Sequence, residues 1–506
     1  MKREAGFVLD KVDTKPLYQQ LFDQIVERIG SRAFPAGYRL PPTRKLAHEL
    51  GSNRNTVVRV YADLEAAGFV RSAVGRGTFV VEATRQAAAP PTPTGDGLSW
   101  SSLVSAPAKA TSALRNRRAT HGHNLGNNVI NLSRMEPSRD LLPDGLIRRC
   151  VEHVLRTKGR TALGYATSEG VPRLRELLVE DLARQGVPAH PDDVLITTGS
   201  QQGLDLLARS LVSPGDLFLV DRATYAGAIN IFTLAGARLV PVPSDAEGPD
   251  MNALEKLSRA GAKGFYLMPN CNNPTGAEIS AGRRHELVAW SQRSGTPLIE
   301  DDYGADLWLE GHPPPPALRS LSGDVIYIGT FSKKLAPALR IGFIVAPREL
   351  RPTLLVVKHA IDLGTSMVLQ MTLAEFLERG YFRAHLNRTL PEYRARRDAL
   401  ERALARHLPP GFKWRQPQRG LVLWLPLPAG VDPDVVFEEA RRRGVLVGPG
   451  GLYEVEARTE PGLRLTFCSE PTDRLAIGGK RLGDALRAIV RHERLVAAAP
   501  VEAEAV

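Results

Sequence analysis

Beyond residue 128 the apolar side chains gather in short, near-continuous runs, at 194–197, 217–220, 238–242, 264–268, 297–300, 325–328 and 342–345. Stretches of helical length separate them. Strands apolar on both faces, alternating with helices, predict an α/β unit with a mostly parallel sheet covered on both sides. Long charged helices are expected from about residue 347, followed by a smaller α+β region and a disordered tail over 496–506.

The first eighty residues follow a different period. Leu17, Leu21, Ile25 and Ile29 recur at helical spacing, and Gly30 closes that helix. Thr43 is placed to cap a short helix over 44–50 that ends at Gly51, and Asn53 to cap a third helix with Val57, Val60 and Leu64 on its buried face. Two helices joined by a short glycine-containing turn form a helix-turn-helix. Its recognition helix would open Arg54-Asn55-Thr56, offering charged and polar groups to phosphates and base edges. Apolar runs either side of Gly75-Arg76-Gly77 predict a two-stranded wing tipped by arginine.

Between these regions the pattern lapses. The run Ala87-Ala-Ala-Pro-Pro-Thr-Pro-Thr-Gly-Asp-Gly has no apolar period, and residues 83–128 read as a semi-extended Pro/Ala/Ser-rich linker. The boundaries expected are thus 1–82 for a DNA-binding unit, 83–128 for the linker and 129–495 for the large unit.

Charge sharpens this division. The 506-residue chain carries a formal +11, of which eight charges lie in residues 1–128, so a polyanionic partner is expected for the N-terminal unit alone. Cys150, Cys271 and Cys468 show no C-x-x-C spacing, and no further cysteine or histidine stands at ligand spacing to complete a set with Cys150 and His153. A disulfide framework and a metal site are both disfavoured. No apolar leader or spanning run is present, so a cytoplasmic location without membrane contact is expected.

The candidate chemistry centres on Thr330-Phe-Ser332-Lys333-Lys334-Leu-Ala-Pro337-Ala-Leu-Arg340, directly after an apolar strand. A lysine at the end of a buried parallel strand faces the crevice where α/β folds bind ligands. Desolvated there, it can lose its proton and attack an aldehyde. Gly199-Ser200-Gln201 opens a helix, and its amides suit a phosphate, with Thr330, Ser332 and Arg340 nearby in the pattern. Asp301 and Asp302 follow another strand, where a buried carboxylate would keep a pyridine nitrogen protonated. Asn273, Tyr225 and Arg464 could respectively donate to a phenolic oxygen, stack on a ring and grip a carboxylate. Spacing alone leaves Lys333 against Lys334, and Asp301 against Asp302, undecided.

These motifs resemble two families. Residues 40–80, from Leu40-Pro-Pro-Thr-Arg-Lys-Leu-Ala to Gly77-Thr-Phe-Val, resemble the GntR winged helix. That resemblance implies that Arg44, Arg54 and Thr56 contact phosphate, Asn55 lies near base edges and Arg76 reaches the minor groove of double-stranded operator DNA. Arg39 and Arg59 read as structural or solvated. Most of 129–490 resembles the fold-type I pyridoxal 5′-phosphate enzymes of the aspartate aminotransferase family. The resemblance makes Lys333 the Schiff-base lysine, Asp301 the partner of the pyridine nitrogen, and Tyr303 and Asn273 the partners of the phenolic oxygen. It gives the phosphate to Ser200, Gln201, Thr330 and Arg340, with Tyr165 entering from a second subunit, and the substrate carboxylate to Arg464.

The combination resembles the MocR-type regulators. It implies a head-to-tail, domain-swapped homodimer, nucleoid-associated, that senses an amino-acid or amine effector through Schiff-base exchange at Lys333. The alternative is a catalytically active aminotransferase with an accessory winged helix; Asn273 and Arg464 keep that reading open.

Overall fold

The computed structural model describes residues 7, 17–30, 33–66, 69–73, 77–81, 100–116, 128–455 and 461–498. The chain divides into two compact units, Met1–Leu103 and Val104–Val506.

In the first unit, helices Leu17–Gly30, Thr43–Glu49 and Arg54–Ala66 precede an antiparallel wing, Val70–Ala73 with Gly77–Val80, in the register Val70↔Val80 to Ala73↔Gly77. Leu21, Ile25, Leu46, Val57, Val60 and Leu64 are buried in one core with Val70 and Val80. Asn53 does cap the third helix, its Oδ1 accepting from the Asn55 amide at 2.9 Å. The second helix corrects the expected cap. Pro42 occupies the cap position, with no side-chain bond, and Thr43 is already the first helical residue. Proline's fixed φ, here −55°, suits that entry without help from the threonine hydroxyl.

The stretch read as a semi-extended linker is partly helical, over Trp100–Leu103 and Ala106–Asn116. The alanines of the second segment favour helix, and it packs on helix Ala226–Leu234 of the large unit. The last helix, Thr472–Ala498, likewise runs past residue 496, where the tail was expected to begin. Residues beyond 498 lie outside those described.

The large unit holds a seven-stranded sheet in the order Val194–Thr197, Gly342–Val345, Ile326–Thr330, Leu298–Asp301, Phe265–Leu267, Leu217–Asp221, Arg238–Val242. Gly342–Val345 runs antiparallel to both its neighbours, and the remaining pairings are parallel. Six of these strands are buried along their whole length on both faces, namely 194–197, 217–221, 265–267, 298–301, 326–330 and 342–345. That explains their unbroken apolar character. Pro241 is tolerated because its strand lies at the sheet edge. A smaller α+β region follows, with strands Val422–Pro426, Gly462–Thr466 and Gly448–Pro449 packed with helices Tyr381–His407 and Thr472–Ala498 over a separate core. Asp221, Asp301, Thr330 and the Thr197–Gly199 turn all emerge at the carboxyl ends of parallel strands, the edge at which such sheets bind ligands.

Candidate cofactor and DNA-binding sites

The two lysines after strand Ile326–Thr330 have opposite fates. Lys334 is buried and ion-paired at 2.8 Å with Asp306, which Arg383 and Gln185 also contact. Burial opposes its charge, but Asp306 outweighs this and holds its pKa above the ordinary lysine value. Lys333 points elsewhere. Its Nζ donates to the Met135 carbonyl at 2.6 Å, and it forms no ion pair among the described residues. Burial pushes its pKa down.

The two aspartates differ in their neighbours. Asp302 Oδ2 accepts from Asn270 at 2.7 Å and Tyr327 at 3.1 Å, the charge of Lys334 favours its ionised form, and its Oδ1 is buried without a hydrogen-bond partner. Asp301 Oδ2 accepts from the Tyr266 hydroxyl at 2.7 Å, while its Oδ1 is buried without a hydrogen-bond partner. Burial raises the Asp301 pKa to about 7; the Tyr266 bond pulls the other way and Asp302 adds to the rise. A cationic N–H placed against Oδ1 would satisfy that oxygen and restore its charge.

A third strand end forms a cup of main chain. Gly199 caps helix Ser200–Leu211 with φ +79°, and a Cβ there would come within 2.6 Å of the Arg340 guanidinium. The amides of Ser200 and Gln201, in the helix's first turn, have no intrahelical acceptor. Arg340, itself at φ 50°, donates to the Thr198 carbonyl at 3.1 Å and reaches Ser332 Oγ at 3.4 Å. Thr330 Oγ1 accepts from the Ser332 amide at 3.2 Å. Donors converging on a helix N-terminus suit a phosphate. The residues present therefore fit pyridoxal phosphate at both ends, an orphaned carboxylate oxygen for the ring nitrogen and a cationic, amide-lined cup for the phosphate.

Between these ends, Tyr225 donates to Gln201 Oε1 at 3.0 Å. Asn273 Oδ1 accepts from Arg464 at 3.0 Å, and Arg464 lies 4.8 Å from the Tyr453 ring centroid. The Tyr303 hydroxyl is 3.2 Å from Cys271 Sγ, so it is engaged with sulfur here. Tyr165 stands apart from the others, 83% exposed beside Leu163 at 72%.

Several contributors escape sequence reasoning. Tyr266 and Asp306 sit within or after apolar runs and look like packing or surface residues. Asp221, whose pKa burial raises to about 7 against the pull of an Asn272 bond at 3.1 Å, reads only as a strand end. A polar tip on an otherwise apolar strand is the one available signal for Tyr266.

In the N-terminal unit Arg44, Arg54 and Asn55 are exposed and Thr56 half-exposed, the latter three opening the recognition helix. Arg39 lies against Phe79, and Arg59 lies over Tyr18 and near Asp63, in keeping with structural roles. Arg76 lies outside the described residues. No helix among the described residues is long and apolar enough to cross a membrane.

Two family models match the chain: aminotransferase class I and II over residues 127–478, and bacterial regulatory proteins of the gntR family over 17–80. The HTH-type transcriptional regulator YisV of Bacillus subtilis is 31% identical over 90% of this chain and 93% of its own length. The probable rhizopine catabolism regulatory protein MocR of Rhizobium meliloti is 32% identical over 87% of this chain and 88% of its own. Among solved structures, LysN from Thermus thermophilus, an α-aminoadipate aminotransferase complexed with N-(5′-phosphopyridoxyl)-L-leucine, matches with a TM-score of 0.72 and 32% identity. That match covers 78% of this chain and all of the other. The chain therefore belongs to the aminotransferase class I and II family and carries a gntR-family winged helix at its N-terminus, the combination of the pyridoxal-phosphate-dependent MocR-type regulators.

Proposed function

We propose that this protein regulates transcription by binding operator DNA as a homodimer and sensing an amino acid or amine at Lys333. The observation that carries the reading is the pairing of the two lysines: Lys334 is locked to Asp306, while Lys333 is desolvated and free of any carboxylate among the described residues. When bound, pyridoxal phosphate supplies an aldehyde with which a primary amine condenses. Asp301 Oδ1 would take the ring nitrogen's proton-bearing edge, and Ser200, Gln201, Thr330, Ser332 and Arg340 would hold the phosphate. Gly199 lets the main chain approach it. Tyr225 would stack on the ring, Tyr303 and Asn273 would reach the phenolic oxygen, and Arg464 would grip an effector's carboxylate.

An effector that displaces Lys333 leaves a buried amine beside Arg464 and Arg340, a local charge change that can bias the spacing of two winged helices in a dimer. The exposed Leu163 and Tyr165 support a head-to-tail dimer in which Tyr165 completes the partner's phosphate site. Arg44, Arg54, Asn55 and Thr56 would read the DNA, placing the protein on the nucleoid in the cytoplasm.

The test is operator binding by fluorescence anisotropy across a panel of amino acids, for the wild type and Lys333→Ala. Effector response in the wild type and none in the variant is the expected result; equal sensitivity in both would sink the reading. A second reading, turnover as an aminotransferase, is favoured by the Arg464–Asn273 pair. Repeated cycling with a keto-acid acceptor would establish it.

A further inference from the structure

Beside the phosphate cup lies an ion pair between a fully buried lysine and a part-buried aspartate that none of these roles uses. Lys358, on helix Arg351–Asp362, is fully buried at 0% exposure. Its Nζ lies 2.8 and 2.7 Å from the two Asp362 oxygens and 3.1 Å from Thr365 Oγ1. Asp362 Oδ2 also accepts from Gln202 Nε2 at 2.7 Å. Gln202, in the first turn of the cup's helix, turns its other end back so that Oε1 accepts from the Thr198 amide at 2.7 Å. Thr198 Oγ1 lies 3.3 Å from Thr365 Oγ1, and the Thr198 carbonyl takes the Arg340 guanidinium. A continuous hydrogen-bonded path thus runs from Lys358 through Asp362 and Gln202 to the residue that precedes Gly199.

Two features make this arrangement costly to keep for packing alone. A carboxylate in the last turn of a helix opposes the helix dipole, and a buried ammonium forfeits its hydration. What the pair achieves is orientation. Gly199 has wide conformational freedom, so the adjoining peptide planes need an outside hold if their N–H groups are to converge on one point. Gln202 supplies that hold on one side of Thr198 and Arg340 on the other. Asp362 fixes which end of the Gln202 carboxamide faces Thr198, because only the amide nitrogen can donate to a carboxylate.

We propose that Lys358 and Asp362 are positioning residues for phosphate, acting through Gln202 to aim the Thr198–Gly199–Ser200 main chain. The proposal rests on the reading of Ser200, Gln201 and Arg340 as the phosphate site.

The test compares two probes on the cofactor-stripped full chain: pyridoxal phosphate, and pyridoxal, which shares the aldehyde and ring but lacks the phosphate. Binding is followed by absorbance. In the wild type the phosphate ester binds far more tightly. Asp362→Asn and Lys358→Met lower affinity for pyridoxal phosphate by about tenfold or more and leave pyridoxal within about twofold, the scale expected for a misdirected charged hydrogen bond. Gln202→Ala, which leaves the ion pair whole and keeps the fold testable, shows the same selective loss. Equal losses for both probes, or none, would overturn the proposal. A wild type that does not distinguish the probes would overturn the phosphate-site reading beneath it, and so the two failures are told apart.

Discussion

Arg464 and Asn273, 191 positions apart, meet through a 3.0 Å hydrogen bond in which the guanidinium donates to the carboxamide oxygen. The bond has two consequences. It turns the Asn273 NH2 away from Arg464, leaving it free to donate elsewhere, and it holds the guanidinium in one orientation, as the proposed grip on a carboxylate would require. Arg464→Met should therefore weaken carboxylate-bearing effectors by about tenfold or more, the cost of one charged hydrogen-bonded pair, while the corresponding decarboxylated amines bind as before. Spectral titration with matched amino acid and amine pairs measures this; a parallel loss for both would remove Arg464 from carboxylate recognition.

The lysine pair makes opposite predictions for adjacent residues. Lys333→Ala should abolish the visible absorbance of lysine-bound cofactor with little change in melting temperature. Lys334→Ala should keep that absorbance but destabilise the protein by about 3 kcal/mol, because Asp306 loses a buried partner and keeps only Arg383 and Gln185. The reverse pattern would shift the reactive amine by one residue.

Asp301 gives stability a pH signature. Its pKa is raised from 3.8 to about 7, so between these values the folded cofactor-free protein holds a proton that the unfolded chain has released. Stability from this group is then present near pH 4, falls as pH rises to about 7 and is flat above. Asp301→Asn removes the dependence, and in the absence of cofactor it should gain stability relative to wild type at pH 7.5 but not at pH 4, by a difference of roughly a few kcal/mol. Asp221 and Glu300, each also raised by burial to about 7, slope the same way and set the background that remains in the variant. Thermal melts across this range decide it; an identical slope in the variant would place the Asp301 titration elsewhere.

At the other end of the chain, Arg54→Ala should reduce operator affinity and flatten the log–log salt dependence by about 0.9, one phosphate contact. Arg59→Ala should leave that slope alone, since Arg59 is engaged with Tyr18 and lies near Asp63. Anisotropy titrations at several salt concentrations separate the two. An unchanged slope in the Arg54 variant would take that residue off the DNA.

What the sequence discloses, and what it hides, follows from the range of the interactions. Strands buried on both faces announce themselves as unbroken apolar runs. The placement of Lys333, Asp301 and Gly199 at one edge of the sheet is legible because it follows from the ends of those runs. Asn53 is legible because a cap acts over two residues. The different surroundings of Lys333 and Lys334 are not, because they depend on Asp306, 28 residues before Lys334 on a different segment. The orientation of Asp301 depends on Tyr266, 35 residues away, and that of the phosphate cup on Asp362, 160 residues from Gln202. The helix at Ala106–Asn116 is obscured for another reason: its short alanine-rich turn lies inside proline-rich sequence, and packing on Ala226–Leu234 stabilises what propensity alone leaves marginal.

Gly342 lies so close to the cup that a Cβ on it would come within 2.7 Å of the Gly199 carbonyl carbon and the Ser200 nitrogen. The proposed anion receptor thus owes part of its wall to peptide bonds, closed in by two residues without side chains. In a library of single replacements across this region, Ser200 and Gln201 should accept many substitutes, since their amides survive any change but proline, whereas Gly199 and Gly342 should accept almost none. A descendant of this chain could consequently forfeit Lys333 or Asp301, and with them its chemistry, and still keep an intact pocket for a phosphorylated ligand.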